Sequence, residues 1–278
     1  MIVFPFCKIN LGLNVVGVRP DGYHDIESVI LPVSMADVLE IAFPDNAQAE
    51  YSLDCSGNPV AVPPEKNLCV KALKVIKQVA DVPRVSMHLH KVIPDGAGLG
   101  GGSSDAAHVI RTVNDMLGLH LSVDAMRALA AKVGADCPFF IEGRPTFVTG
   151  IGDVFSSVDV SQLRGMGVAI AVPQGGVSTA EAYANIPVGR TPVSIKEAVT
   201  HNVGEWKTLI HNDFEPYAES KIPDIARFKE NFYRLGAVYS QMSGSGSSVF
   251  ALFPQGAALP AHSDFPQARC YWCGKLNF

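Results

Sequence analysis

Between Val92 and Ile110 the chain reads VIPDGAGLGGGSSDAAHVI, with five glycines among the seven residues from Gly96 to Gly102 and two serines directly after them. Glycine loses more conformational freedom on folding than any other residue, so a run this dense is kept where side chains would obstruct a close approach. The strand-like alternation of VSMHLHKVI leads into it. Ala106, Ala107, Ile110, Val113 and Leu117 follow as one face of a helix expected from Ser103 to Leu117. Unencumbered N–H groups at a helix start form an anion-binding concavity, to which the helix dipole adds about 0.3–1 kcal/mol at an exposed site. A polyphosphate suits that arrangement. The hydroxyls of Ser103 and Ser104 are expected to touch phosphate or a phosphate-bound magnesium ion.

Gly96, Gly98 and Gly101 formally match the dinucleotide fingerprint G-x-G-x-x-G. That fingerprint belongs after the first strand of a unit, with an acidic residue about twenty positions on at the end of a second strand. Here a long β-rich region precedes the loop, and the sequence around Asp115 and Asp124 is helix and turn. The form G-x-x-x-x-G-K-[ST] occurs nowhere in the chain.

The 278 residues suggest two domains, with a linker-like change near Val158 to Gly165 that divides them as 1–158 and 159–278. Strands are expected in MIVFPF, INLGLNVVGV, SVILPVS and VLEIAF, and a helix over Asn67 to Val79. Ser122 caps another helix that stops at Gly134. DCPFFIEG and PTFVTGIGD read as short apolar segments. GVAIAVP is a buried-strand candidate, followed by helices around Ala180, Ser194 and Ile225. AVYSQM, the turn SGSGS and SVFALF read as strand, loop and strand. PQGAALPAHSDFPQA, with three prolines, reads as a short or broken helix. Mixed strands and helices without steady alternation indicate an α+β fold.

A formal net charge of −5 gives no electrostatic footprint for nucleic acid. No stretch has the roughly 20 apolar residues of a membrane span, and Lys8 interrupts the apolar start short of a signal-peptide core. A cytoplasmic location is expected, with the six scattered cysteines as buried thiols. CYWC, a single C-x-x-C, reads as incidental. His88 and His90 could mimic a metal pair on one strand face, but a third ligand is lacking.

PDGAGLGGGSSDAA resembles the phosphate-binding motif of the GHMP kinases. Two further family motifs stand in the right order, KINLGL (Lys8 to Leu13) and SGSGSSVF (Ser243 to Phe250). RPDGYH (Arg19 to His24) and GADCPFF (Gly134 to Phe140) are similar to the members of that family that phosphorylate a cytidylyl sugar alcohol. The resemblance implies a two-domain α+β architecture. Its N-terminal ATP-binding domain is ribosomal S5 domain 2-like and its C-terminal domain ferredoxin-like, with the active site in the interdomain cleft. It implies transfer of the γ-phosphate of ATP, accompanied by magnesium, to the 2-hydroxyl of 4-diphosphocytidyl-2-C-methyl-D-erythritol. The partner is thus a small molecule, and the protein a monomer or homodimer.

Residue by residue, Asp136 matches the family's catalytic aspartate, a general base, and Lys8 its paired lysine. Beside a carboxylate, that lysine would stabilise developing negative charge and keep Asp136 ionised. Without the motif, a structural ion pair is the better reading of the two, and only the motif reverses it. Pro94, Asp95, Gly96, Ala97, Gly98, Leu99, Gly100, Gly101, Gly102, Ser103 and Ser104 would wrap the phosphates, and Asn67 and Lys91 match positions lining the nucleotide. Asn10, Tyr23 and His24 match the acceptor side, where His24 suits a cytosine edge and Tyr23 a stacked face. Tyr183 would supply a second aromatic. Ser243, Gly244, Ser245 and Gly246 would support the first loop and shape the acceptor side. No residue matches a protein ligand to metal. Two alternatives stand beside this one: a GHMP kinase for another small alcohol, of homoserine or mevalonate type, and an inactive nucleotide-binding relative.

Overall fold

The computed structural model describes residues 1–45, 49–60, 62–186 and 193–278. Its first half holds strands β1 (Ile2–Val3), β2 (Phe6–Val18), β3 (His24–Ala36), β4 (Val38–Ala42), β5 (Tyr51–Gly57) and β6 (Val85–Lys91). Helix α1 (Leu68–Ile76) precedes β6, and α2 (Gly101–Leu117), α3 (Val123–Ala131) and α4 (Phe139–Glu142) follow it. Strands β7 (Thr146–Thr149), β8 (Val154–Ser156) and β9 (Gly167–Val172) come next. Five helices succeed them: α5 (Thr179–Ala184), α6 (Ile195–Ala198), α7 (Trp206–Leu209), α8 (Glu215–Lys221) and α9 (Asp224–Arg234). Strands β10 (Tyr239–Met242), β11 (Val249–Phe253) and β12 (Cys270–Lys275) end the chain.

These elements form two compact units that interleave along the sequence. The first comprises Met1–Cys7, Ala36–Asp95 and Gly100–Gly143, the second Lys8–Met35, Gly96–Leu99 and Arg144–Phe278. The sequence suggests instead a single boundary after residue 158.

In the first unit, β1, β4, β6 and β5 lie side by side, with β5 and β6 parallel and the other pairs antiparallel. β6 alternates cleanly, with Val85, Met87, Leu89 and Lys91 buried and His88 and His90 exposed. Helix α1 buries Cys69, Val70, Ala72, Leu73, Val75 and Ile76, and packs against α2. Helix α2 starts at Gly101, two residues before the expected start at Ser103, because Gly100 supplies a left-handed N-cap at φ +70°. Ser122 caps α3 by accepting from Ala125 N at 3.2 Å. The apolar run after Cys137 is the short helix α4.

The second unit contains two four-stranded sheets, ordered β2-β3-β7-β8 and β10-β11-β9-β12. The latter is antiparallel throughout. Its strands follow a βαββ-β path that resembles the ferredoxin-like βαββαβ plan. Where that plan has its second helix, the proline-broken segment makes only a 3-10 turn at His262–Asp264. The core joins Leu13 and Val15 of β2 to Ala169, Ala171, Val249 and Phe253, with Phe214, Phe228 and Phe232 from the helical region. Strand β5 and helices α7 and α8 have too little apolar periodicity to be read from the sequence.

Candidate active site

In the second unit, KINLGL and SGSGS come together although 229 residues separate them. Gly98 adopts φ +76°, and a Cβ built there would lie 2.1 Å from Ser243 O, so only glycine fits. Ser243 Oγ donates to Gly98 O at 3.0 Å and accepts from Asn10 N at 3.2 Å. Ser248 N donates to Ala97 O at 3.1 Å, and Lys8 N to Leu99 O at 2.9 Å. The loop segment 96–99 is therefore stitched to both motifs through the backbone.

Side chains follow the strand period. Lys8, Asn10 and Gly12 share one face of β2. Lys8 Nζ donates to Asn10 Oδ1 at 2.6 Å, and Asn10 Nδ2 to Ser28 Oγ at 2.8 Å, while Ser28 in turn donates to Gly12 O at 2.7 Å. Lys8 is 5% exposed and Asn10 4%. Gly244, at φ +58°, approaches them so closely that a Cβ would sit 3.4 Å from Lys8 Nζ and 3.3 Å from Asn10 Oδ1. Ser245 Oγ lies 3.1 Å from Thr179 Oγ1.

Three supports escaped the sequence reading. Asn212 Nδ2 donates to Met242 O and Gly244 O at 2.9 and 2.8 Å, fixing the second turn. Gln241 Oε1 accepts from Gly12 N at 2.7 Å, and Ser28 orients Asn10. Their partners lie far away in sequence, so no local signal marks them.

The acceptor-side aromatics divide. His24 and Tyr183 are in ring contact, with centroids 4.8 Å apart, and Phe214 meets Tyr183 edge-on at 4.8 Å. Tyr23 sits on the β2–β3 turn, 61% exposed.

In the first unit, the starts of α1 and α2 and the turn before α4 converge. A Cβ on Gly102 would lie 3.6 Å from Leu68 Cδ1. Asn67 is the buried N-cap of α1, accepting from Cys69 N at 2.9 Å. Asp136 is exposed on the turn ahead of α4. Burial pushes the thiol of the next residue, Cys137, up to about 11, against the pull of a hydrogen bond with the Ser103 side chain. Ser103 is thus held beside the Asp136 turn.

Two residues expected at the phosphates, Ser104 and Lys91, have buried side chains. Ser104 is wholly buried, its hydroxyl 3.4 Å from His108 Nδ1, because its position on α2 faces the interior. Lys91 is 6% exposed and ion-paired with Asp37 and Asp105, at 2.7 Å from Asp105 Oδ2. Burial pulls its pKa down, but the attraction of Asp105 and Asp37 prevails and raises it.

The N-terminal domain model of the GHMP kinases matches residues 67–144, and the C-terminal model matches residues 194–269. A 4-diphosphocytidyl-2-C-methyl-D-erythritol kinase of Parabacteroides distasonis is 45% identical over 278 residues, covering 100% of both chains. The chain belongs to the GHMP kinase family. A kinase of the same name from Bacteroides thetaiotaomicron is 46% identical over 260 residues, 94% of each chain. A crystal structure of 4-(cytidine 5'-diphospho)-2C-methyl-D-erythritol kinase superimposes on this GHMP kinase with a TM-score of 0.80, 29% identity and 100% of both chains covered.

Among the described residues of this GHMP kinase, no three His, Cys, Asp or Glu side chains are grouped to hold a metal ion. His88 and His90 share the hydroxyl of Ser56, at 3.0 and 2.9 Å. None of the six cysteines is in a disulfide. Cys55 and Cys273 are exposed and Cys270 half-buried, which corrects the expectation of burial for these three. No described helix is long and apolar enough to cross a membrane.

Proposed function

We propose that this GHMP kinase transfers the γ-phosphate of ATP to the 2-hydroxyl of 4-diphosphocytidyl-2-C-methyl-D-erythritol, a step of the non-mevalonate route to isoprenoid precursors in the cytoplasm. The observation that carries this reading is the 45% identity, over the whole of both chains, to a kinase of that name. The contact of His24 with Tyr183 supports it, since an imidazole edge beside a phenol ring suits a cytosine.

In this reading the backbone from Pro94 to Ser103 cradles the triphosphate, and the first turn of α2 turns its N–H groups and dipole toward negative charge. Asn67 lies at the nucleotide side. Asp136 accepts the proton of the acceptor hydroxyl as it attacks the γ-phosphorus, and the Lys8 ammonium offsets charge as the oxygen loses that proton. Asn10 holds Lys8 in place, and Ser243 to Gly246 shape the acceptor side with Tyr23 at its rim. Residues 1–158 form the ATP-binding domain and 159–278 the second domain; the family-model matches fall on either side of that boundary. Magnesium accompanies ATP in this reading, as the counter-ion of its phosphates.

An acceptor panel with ATP tests the reading. The cytidylyl substrate should be phosphorylated and homoserine and mevalonate ignored. Turnover of either alcohol without turnover of the cytidylyl substrate would overturn it.

A further inference from the structure

Three charged residues interrupt three buried apolar patterns in the first unit, and they meet one another. Asp37 is buried ahead of Leu39 and Ile41, Lys91 completes the inward row of Val85, Met87 and Leu89, and Asp105 lies on the buried face of α2. Their exposures are 0%, 6% and 2%. Lys91 Nζ donates to Oδ2 of both carboxylates. Asp37 Oδ1 accepts from the N–H groups of Val92 and Ile93 at 2.6 and 2.8 Å. Among the described residues, Asp105 Oδ1 is buried with no hydrogen-bond partner. A Cβ on Gly101 would lie 3.2 Å from Lys91 Nζ and 2.9 Å from Ile93 Cγ2. The strand end and the helix start that bound the glycine-rich loop are thus tied at one point.

We propose that Lys91, Asp37 and Asp105 are positioning residues of the phosphate loop, with Lys91 holding both loop ends and neutralising buried carboxylate charge rather than touching phosphate. The inference rests on the nucleotide-binding reading above. Its physical basis is charge balance. Burial raises the Asp105 carboxyl to about 7 against the pull of Lys91; above that pH one ammonium against two carboxylates leaves a single negative charge, whereas losing the ammonium leaves as many as two beside the helix terminus where a triphosphate binds. A helix N-terminus carries only about half a positive charge, so a second bare carboxylate cancels its attraction. A buried charge stripped of its partner is also far costlier than a pair removed together. Deleting Lys91 and the Asp105 charge together restores the original balance and leaves Asp37 its two backbone donors.

The test is a double-mutant cycle read by calorimetric Kd for ADP and a nonhydrolysable ATP analogue, with KM for the acceptor measured alongside. Lys91→Met should weaken both nucleotides by about tenfold or more, and Lys91→Met/Asp105→Asn should recover all but about threefold of that, the non-additivity of residues acting as a unit. Acceptor KM should stay within about twofold throughout, which a general structural defect would not allow. If Lys91→Met does not fold, the double variant against wild type carries the comparison. A double variant that binds nucleotide at least tenfold more weakly than wild type, or that does not fold, makes Lys91 a direct ligand or a plain core pair and overturns the proposal. Wild-type protein that binds neither nucleotide would instead refute the function assigned to the loop.

Discussion

Lys8 and Asn10 stand two residues apart on β2, so their side chains share a face, and the strand buries both beside Gly244. An ammonium withheld from water and held by an amide oxygen at 2.6 Å is a fixed charge. With Asp136 as base, Asp136→Asn and Lys8→Ala should each lower kcat by about two orders of magnitude, with the Kd for ATP little changed. Full turnover in either variant would remove that residue from the chemistry. Tyr183 packs between His24 and Phe214. Such ring contacts are worth about 0.5–1.5 kcal/mol each, so Tyr183→Ala should raise KM for the cytidylyl acceptor by roughly 3- to 10-fold. An unchanged KM would exclude Tyr183 from the acceptor side. Motifs single out Lys8, Asn10, His24 and Asp136 in the sequence. The roles of Asn212 and Gln241 were not, since each acts by satisfying backbone groups remote in the chain. The burial of Ser104 was legible in principle, because it precedes Ala107 of the apolar stripe by three residues on one helical face.

Helix α2 and its preceding loop depend on glycine in two different ways. Gly100 and Gly98 need positive φ, whereas Gly101 needs only space. Gly98→Ala should cost about 1–3 kcal/mol in stability from its backbone conformation alone. Pressure on Ser243 O should add to that and abolish measurable ATP binding. Urea unfolding and calorimetry check both, and wild-type-like values would mean that the loop and turn are not in register.

Farther along the same helix, burial lowers the His108 pKa to about 4, although its bond to Ser104 O pulls the other way. The folded protein thus binds fewer protons here than the unfolded chain between about pH 4 and 6.5. This contribution is complete above about pH 6.5 and is lost as pH falls toward 4, on the order of 3 kcal/mol in all. His108→Gln should flatten the stability profile across that window, and an unaltered slope would contradict the assignment. The α2 stripe was readable from its period, but its start was not, because glycine carries no hydrophobic signal.

The whole chain keeps three ordered motifs and full-length similarity to its relatives, yet its two compact units draw on alternating stretches of sequence. Linear reading finds composition shifts such as the one near residue 158. It does not see that β2 and β3 pack with sheets formed far downstream, since that pairing is a tertiary outcome. The missing helix before β12 was foreshadowed by its prolines, which end helices wherever they fall in an interior.

Phosphorus NMR of a reaction containing the protein, ATP, magnesium and 4-diphosphocytidyl-2-C-methyl-D-erythritol addresses the proposed transfer most directly. One new phosphomonoester on the 2-hydroxyl should appear for each ADP formed, and Asp136→Asn should suppress both signals together. ADP released without that monoester, or a monoester formed at full rate by Asp136→Asn, would contradict it.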